Sequence, residues 1–333
     1  MNITVLGSGG WGTALAVLLV EKGEQVSLWA HRPQQAAVLR ETGENPRLPG
    51  VKLPPDLRCM DTMESLRESE LVVFAAPSFA VRETARQAAA LLRDGTVLVS
   101  AAKGIEKGTS LRMTEIIGEE TGGRCPTAAL SGPSHAEEVG RGAPTGCVAA
   151  ARDLETARFV QEAFMTPRFR VYTNEDIVGV ELGAALKNVL ALCCGVSDGM
   201  GLGDNAKALL MTRGMTEMAR LGVALGGRKE TFAGLSGMGD LIVTCTSMHS
   251  RNRRCGILIG EGKNAQEAME QVGAVVEGYF AALSACQLSE KMGVEMPICQ
   301  CAYDVLYRGE SAGHALENLM TRHRRHEVDE SWI

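Results

Sequence analysis

The sequence predicts an α/β protein in which a doubly wound, mostly parallel sheet is followed by an all-helical C-terminal domain. From residue 1 to about 175, short β-branched runs alternate with amphipathic helical stretches, the pattern of parallel strands joined by crossover helices. Most of these runs end in Gly, Pro or Ser. Gly contributes 38 of 333 residues, above the usual ~7%, and sits at the ends of apolar runs, where strands turn tightly into helices. Beyond residue 176 long helical windows take over and strand-like runs almost vanish. The expected boundary therefore separates residues 1–176 from residues 177–333.

Seven strands are expected: Ile3–Leu6, Gln25–Trp29, Leu71–Ala75, Thr96–Ser100, Thr127–Leu130, Gly146–Ala150 and Phe169–Tyr172. In open sheets of this kind ligands bind at the carboxyl ends of the strands, so the residues just after each run are the first candidates for a site. In the second half the clearest helices are Ile177–Val196 and Asn205–Leu225. The first of these is long and apolar enough to span a bilayer, but Glu181 and Lys187 would each cost about 2.5–3.5 kcal/mol near its centre, so a core helix is the expectation. Met211, Met215 and Met218 are spaced as helix core. The last dozen residues, Arg322 to Ile333, read as a frayed charged tail.

Composition narrows the function. Thirty-four basic against forty acidic residues leave a net charge of −6, which gives no general attraction for nucleic acid or membrane surfaces. The N-terminus Met1-Asn2-Ile3-Thr4 has no basic, signal-like region, and a cytoplasmic protein is expected. In that compartment the ten cysteines are expected to be reduced and buried. No pair has zinc-ligand spacing, so no metal is expected.

Directly after the first strand comes Gly7-Ser8-Gly9-Gly10-Trp11-Gly12, followed by the helical run Thr13–Glu21. Strand, glycine turn, apolar helix and second strand fill about 30 residues, the Rossmann-type arrangement that turns main-chain N–H groups and a helix N-terminus toward a pyrophosphate. Where an NAD-preferring site places an acid on the ribose, this chain has His31-Arg32-Pro33. A guanidinium can bind a 2′-phosphate, so NADPH is preferred over NADH as the expected cofactor.

Lys187 stands alone in an apolar helical stretch, with Glu181 six residues away and out of helical pairing range. An interior lysine can exchange a proton with a carbonyl or hydroxyl group. Three turn-like segments could complete a site: Lys103-Gly104 after the fourth strand, Ser131-Gly132-Pro133-Ser134 after the fifth, and Gly237-Met238-Gly239-Asp240 between helices. Asp240 could orient Lys187, its charge opposing the desolvation of the lysine. Ser134 and Glu137 also spell a helix capping box. Finally, Ser250-Arg251-Asn252-Arg253 brings two guanidiniums, a hydroxyl and an amide to an expected helix start, which suits a phosphate monoester.

Together with A-K-G-I-E at 102–106, L-S-G-P-S at 130–134, L-K-N-V at 186–189, L-S-G-M-G-D-L at 235–241, S-R-N at 250–252 and V-V-E-G at 275–278, the chain closely resembles the bacterial NAD(P)-dependent glycerol-3-phosphate dehydrogenases over nearly its whole length. The resemblance implies reversible reduction of dihydroxyacetone phosphate to sn-glycerol 3-phosphate for glycerophospholipid synthesis, by a homodimer. It implies Lys187 as general acid/base. It also implies a substrate shell of Lys103, Gly132, Ser134, Asn188, Asp240, Ser250, Arg251 and Asn252. Cofactor contacts implied are Gly7, Gly9, Gly10, Trp11, Gly12, His31, Arg32, Lys103, Ala136, Arg251, Val275 and Glu277. Where the family usually carries an aromatic residue before a Leu-Pro pair, this chain has Arg47.

Two other readings compete. A two-domain reductase of a keto acid such as ketopantoate would also use a helical lysine, but its carboxylate substrate needs one Arg rather than a phosphate-sized site. A non-catalytic dinucleotide-binding regulator would have no need of Lys187, Asp240 and Lys103 together.

Overall fold

A computed structural model describes residues 1–324, 326 and 327. Of the expected charged tail, residues 325 and 328–333 lie outside the described residues. The chain divides into two units: residues 1–103 with 111–177, and residues 104–110 with 178 onward. The short segment 104–110 thus belongs with the helices, whereas the sequence reading had placed it in the first half.

The first unit is built on one eight-stranded sheet: β1 (Asn2–Leu6), β2 (Gln25–Trp29), β3 (Arg58–Met60), β4 (Leu71–Phe74), β5 (Val97–Ser100), β6 (Thr127–Ser131), β7 (Thr145–Ala151) and β8 (Phe169–Asn174), in the order β3-β2-β1-β4-β5-β6-β7-β8. Every neighbouring pair is parallel except β6 and β7, which run antiparallel. The strand β3 escaped the sequence reading because it is three residues long and reads Arg-Cys-Met, without a β-branched residue.

The helices of this unit are α1 (Gly10–Glu21), α2 (Pro33–Thr42), α3 (Val81–Ala89), α4 (Met113–Glu120), α5 (Ala136–Val139) and α6 (Leu154–Phe164). They cover both faces of the sheet. Along β4, Leu71 and Val73 enter one apolar cluster and Val72 and Phe74 the other. This is why the strands read as continuous apolar runs rather than alternating ones. The expected capping box at Ser134 is not formed. The helix α5 starts one residue later, with His135 at its N-cap, and Ser134 Oγ instead donates to Gly132 O at 2.9 Å.

The second unit contains α7 (Ile177–Gly199), α8 (Gly203–Ala224), α9 (Lys229–Phe232), α10 (Asp240–Thr246), α11 (Arg251–Gly260), α12 (Ala265–Val272), α13 (Glu277–Met292), α14 (Pro297–Tyr307) and α15 (Ala312–Met320), with no strand among its described residues. The apolar helix α7 is the core of this unit, with 89% of its most hydrophobic window buried. Met215 and Met218 are buried beside it, as their spacing predicts.

Glycines let the backbones of α7 and α11 touch. Cβ atoms added at Gly195 and Gly199 would lie 2.1 and 2.2 Å from the carbonyl oxygens of Arg253 and Ile257. Cβ atoms at Gly256 and Gly260 would meet Leu192 O and Val196 O at 2.1 and 2.3 Å. Each helix thus presents a pair of glycines four residues apart on one face, and this seam fixes where the first turn of α11 lies along α7.

Candidate active site

In the first unit, the glycine turn joins β1 to α1. Gly7 has φ of +121° and no room for a side chain, since an added Cβ would sit 2.9 Å from the backbone of Ala75. At Gly12 an added Cβ would fall 1.9 Å from Gly7 O and 3.0 Å from Ala75 Cβ, and at Gly10 it would lie 2.7 Å from Arg47 O and 3.7 Å from Ala136 Cβ. Gly9 differs. Its added Cβ would meet no protein atom within 4 Å, and its backbone is extended in a conformation that any residue adopts.

The protein itself therefore does not demand glycine at position 9, but a phosphate approaching the main chain would. Gly9 is also the N-cap of α1 and supplies no side-chain cap. Trp11 Nε1 is buried without a partner among the described residues, as are Ser100 Oγ and Ser131 Oγ at the carboxyl ends of β5 and β6. These open cradles and orphaned polar atoms fit a polar ligand such as a dinucleotide.

Asn45, which the sequence reading missed, holds this turn. It is buried, with Nδ2 donating to Ser8 O at 3.1 Å and to Thr13 Oγ1 at 2.6 Å, while its Oδ1 accepts from Arg47 N at 2.9 Å. Arg47 itself is exposed, as are His31 and Arg32 after β2. His31 packs edge-on to Trp29 at 5.7 Å, and Arg32 is the N-cap of α2 without a side-chain cap. Lys103, Gly132 and Ser134 come together: Lys103 Nζ and Ser134 Oγ both donate to Gly132 O, at 3.0 and 2.9 Å.

In the second unit, Lys187 is 4% exposed on α7 and Asp240 is 2% exposed. Lys187 Nζ lies 3.0 Å from Asp240 Oδ1 and donates to Thr244 Oγ1 at 2.7 Å. Thr244 has one hydroxyl hydrogen, directed to Asp240 O at 2.6 Å or to its Oδ1 at 3.2 Å, so toward Lys187 it can only accept. Two acceptors thus face the lysine, an arrangement that suits an ammonium able to give a proton.

Asp240 reaches α7 because the segment before it, Leu235–Gly239, forms a π-helical turn against Gly183, where an added Cβ would be 2.9 Å from Ser236 O. The role of Thr244 went unread in the sequence. Its only signal was a spacing of four from Asp240 on one helix.

The S-R-N-R segment behaves differently from expectation. Ser250 Oγ caps α11 by accepting from Arg253 N at 3.2 Å. The Arg253 guanidinium is held by Asp198 at 2.7–2.8 Å and by Thr246 O, so it is not a second anion ligand. Asn252 Nδ2 donates to Asn188 Oδ1 and its Oδ1 accepts from Gly278 N, both at 2.9 Å. Donors at this helix start are the exposed Arg251, the main-chain N–H groups of its first turn, and Arg254, whose Nε is buried without a partner among the described residues. Val275 and the α13 N-cap Val276 lead into Glu277, the first residue of α13. Among the described residues no group of three His, Cys, Asp or Glu could hold a metal.

Comparison with known proteins identifies the family. Residues 2–157 and 176–317 match the family models for the NAD-dependent glycerol-3-phosphate dehydrogenase N-terminus and C-terminus. A glycerol-3-phosphate dehydrogenase (NAD(P)+) of Moorella thermoacetica is 56% identical, covering 98% of both chains. One from Desulfitobacterium hafniense is 48% identical over 99% of this chain and 94% of its own. The crystal structure of the Coxiella burnetii glycerol-3-phosphate dehydrogenase matches with a TM-score of 0.92 at 38% identity, covering 96% of this chain and 98% of that one. A ketopantoate reductase from Ralstonia eutropha shares the fold alone, with a TM-score of 0.61 at 14% identity over 96% of this chain and all of that one. The chain belongs to the NAD-dependent glycerol-3-phosphate dehydrogenase family.

Proposed function

We propose that this protein reduces dihydroxyacetone phosphate to sn-glycerol 3-phosphate with NADPH or NADH, reversibly, supplying glycerophospholipid synthesis as a cytoplasmic homodimer. The observation that carries the chemistry is the buried lysine faced by two acceptors, on the same helix as the anchor of an anion-ready helix start. Family membership and the 56% identical relative support the substrate.

Within the first unit the nucleotide is held by Gly7, Gly9, Gly10, Trp11, Gly12, His31, Arg32, Lys103 and Ala136. Arg32 favours NADPH, because only that cofactor offers a 2′-phosphate to a guanidinium. When bound, the reduced nicotinamide supplies a hydride to the carbonyl carbon of the substrate.

Lys187 gives its proton to the carbonyl oxygen as negative charge develops there, leaving a neutral amine that takes the proton back in the reverse reaction. Asp240 and Thr244 hold the lysine in place throughout. Arg251 and the first N–H groups of α11 bind the substrate phosphate, with the helix dipole favouring the anion.

The experiment compares NADPH oxidation with dihydroxyacetone phosphate and with ketopantoate as substrates. A kcat/KM at least about 10²-fold higher for the phosphorylated ketone is expected, as for a site built to pair a group its competitor lacks. A preference for ketopantoate, or no turnover of either compound, would contradict the proposal. Sedimentation equilibrium tests the homodimer.

A further inference from the structure

The α10–α11 connection, residues 247–250, leads directly into the helix start that meets the substrate phosphate, yet much of it lies on the surface. Thr246, Met248 and His249 are exposed. The side chain of Arg253, from the first turn of α11, reaches back and grips this segment. Its Nη1 donates to Thr246 O, on the last residue of α10, and to Met248 Sδ, both at 3.0 Å. Its Nε and Nη2 both meet Asp198 Oδ2, at 2.8 and 2.7 Å. All three guanidinium nitrogens are therefore engaged within the second unit.

Asp198 lies near the end of α7 and serves two cations. Its Oδ1 takes Lys207 Nζ from α8 at 2.7 Å, while its Oδ2 takes Arg253. The side chains of Asp198 and Lys207 are 16% exposed and that of Arg253 13%, so solvent screens this cluster far less than it screens a surface ion pair. The main chain of Arg253 docks on the same helix. Its carbonyl oxygen is the atom that a Cβ added at Gly195, three residues before Asp198, would meet at 2.1 Å. Residue 253 is thus fixed to α7 at two points, and its guanidinium extends that anchorage to the end of α10.

We infer that Arg253 is a positioning residue: anchored by Asp198, it holds the α10–α11 connection to α7 and so places the first turn of α11, with Arg251, for the substrate phosphate. The start of α10 is held separately, by Asp240 against Lys187 at 3.0 Å. Loss of the Arg253 brace is therefore felt at the phosphate end of the substrate and not at the proton-transfer end. The inference rests on the reading of the phosphate site given above and adds to it a residue that acts without touching the phosphate.

The test measures Arg253→Ala and Asp198→Ala, alone and combined, with dihydroxyacetone phosphate and with phosphate-free dihydroxyacetone, after confirming by NADPH titration and thermal melting that each variant is folded. Arg253→Ala should lower kcat/KM for dihydroxyacetone phosphate by about 10–10²-fold, the scale of a misplaced binding group. For dihydroxyacetone the change should stay below about threefold, since that substrate makes no use of the phosphate site. Asp198→Ala should act in the same direction, because it takes away the anchor of the guanidinium. The double variant should be no worse than the more damaging single one, as expected for two residues that act as a unit.

Asp198 decides between a brace and a ligand, because the two make opposite predictions. If Arg253 bound the phosphate itself and Asp198 merely restrained it, removing the carboxylate would free the guanidinium. An unchanged or raised kcat/KM for dihydroxyacetone phosphate in Asp198→Ala would therefore overturn the inference. Equal losses on both substrates would also overturn it, assigning the cluster to the fold. If either alanine variant does not fold, Arg253→Lys or Asp198→Asn, each of which keeps part of the pairing, replaces it with the same sign of effect. Failure of the wild-type protein to reduce dihydroxyacetone phosphate would instead refute the substrate reading, and an Arg251→Ala variant that loses nothing on that substrate would refute the phosphate site, so these failures are distinct.

Discussion

Glycine does opposite work in the two units. In the turn between β1 and α1, Gly9 faces open space, and its missing side chain leaves room for something outside the protein. In the α7–α11 seam, Gly195, Gly199, Gly256 and Gly260 face backbone at 2.1–2.3 Å, and their missing side chains leave room for the protein itself. The first kind of glycine builds a binding surface at no cost to packing. The second sets the spacing on which Asn188, Asn252 and the α11 start depend. Substitution by alanine should therefore separate the two, sparing the fold in one place and binding in the other.

The largest effect is expected where the helical unit carries its chemistry. Lys187→Ala should lower kcat by roughly 10²–10⁴, the range for a positioned acid/base. It also leaves the Asp240 carboxylate buried without its cation, which costs about 3–5 kcal/mol of stability, so turnover must be expressed per folded, NADPH-binding protein. Near wild-type turnover would remove Lys187 from the reaction.

In the glycine seam, Gly256→Ala should destabilise the protein by about 2 kcal/mol. Overpacking against Leu192 O costs up to about 3 kcal/mol, and the better helix propensity of alanine returns about 1 kcal/mol. Chemical denaturation measures this, and an unchanged midpoint would mean that the seam can open without strain.

Glu217 allows a pH test of the same unit. It is 3% exposed on α8, and its carboxylate accepts from Ile298 N and Cys299 N at the start of α14, where Pro297 provides no N–H. Burial pushes its pKa up from 4.5 to about 7, against the lowering effect of those two N–H groups. An acid whose folded pKa is raised binds more protons folded than unfolded, so its contribution to stability falls as pH rises from about 4.5 to 7. The full interval corresponds to about 3 kcal/mol. Glu217→Gln keeps the acceptor and should remove that slope, raising stability above pH 7. Parallel pH profiles for the two proteins would refute this account.

The smallest of these effects belongs to the first unit. Gly9→Ala should leave the melting temperature within a degree or two, yet weaken NADPH binding by about tenfold or more, the loss of one charge-assisted hydrogen bond. Unchanged affinity would mean that the pyrophosphate lies away from Gly9, and a large loss of stability would erase the contrast with Gly256.

Sequence legibility follows the same division. The β1–α1 turn could be read because its strand, glycines and helix are neighbours along the chain, and Gly12 meets Gly7 itself, although the limit on space at Gly7 comes from the distant Ala75 and Ala76. The seam could not be read so directly. Gly195 explains itself only through Arg253, and Gly256 through Leu192, Gly195 and Val196, each about sixty residues away. Asp240 and Lys187 were both singled out, but Thr244 between them was not, because a threonine on a helix has many ordinary uses.

The S-R-N-R segment shows the limit most clearly. Residue types alone offered two guanidiniums, and only the position of Asp198 shows that Arg253 is already engaged. Ser134 failed in the other direction. Its capping pattern was present, but α5 starts one residue later with His135 as its N-cap, which leaves Ser134 outside the capping position.

The central claim is that the start of α11 recognises a phosphate on the substrate, with Arg251 as the exposed side chain that binds it. Measuring kcat/KM of Arg251→Ala with dihydroxyacetone phosphate and with dihydroxyacetone tests it most directly. The phosphorylated substrate should lose roughly 10–150-fold, equivalent to a charge-assisted bond of about 1.5–3 kcal/mol. Part of that loss should appear in kcat, since phosphate binding energy also positions the carbonyl. Dihydroxyacetone should lose much less. Equal losses for both substrates would contradict the claim, assigning Arg251 to the cofactor or the fold and moving the phosphate to Lys103 and the turn from Gly132 to Ser134.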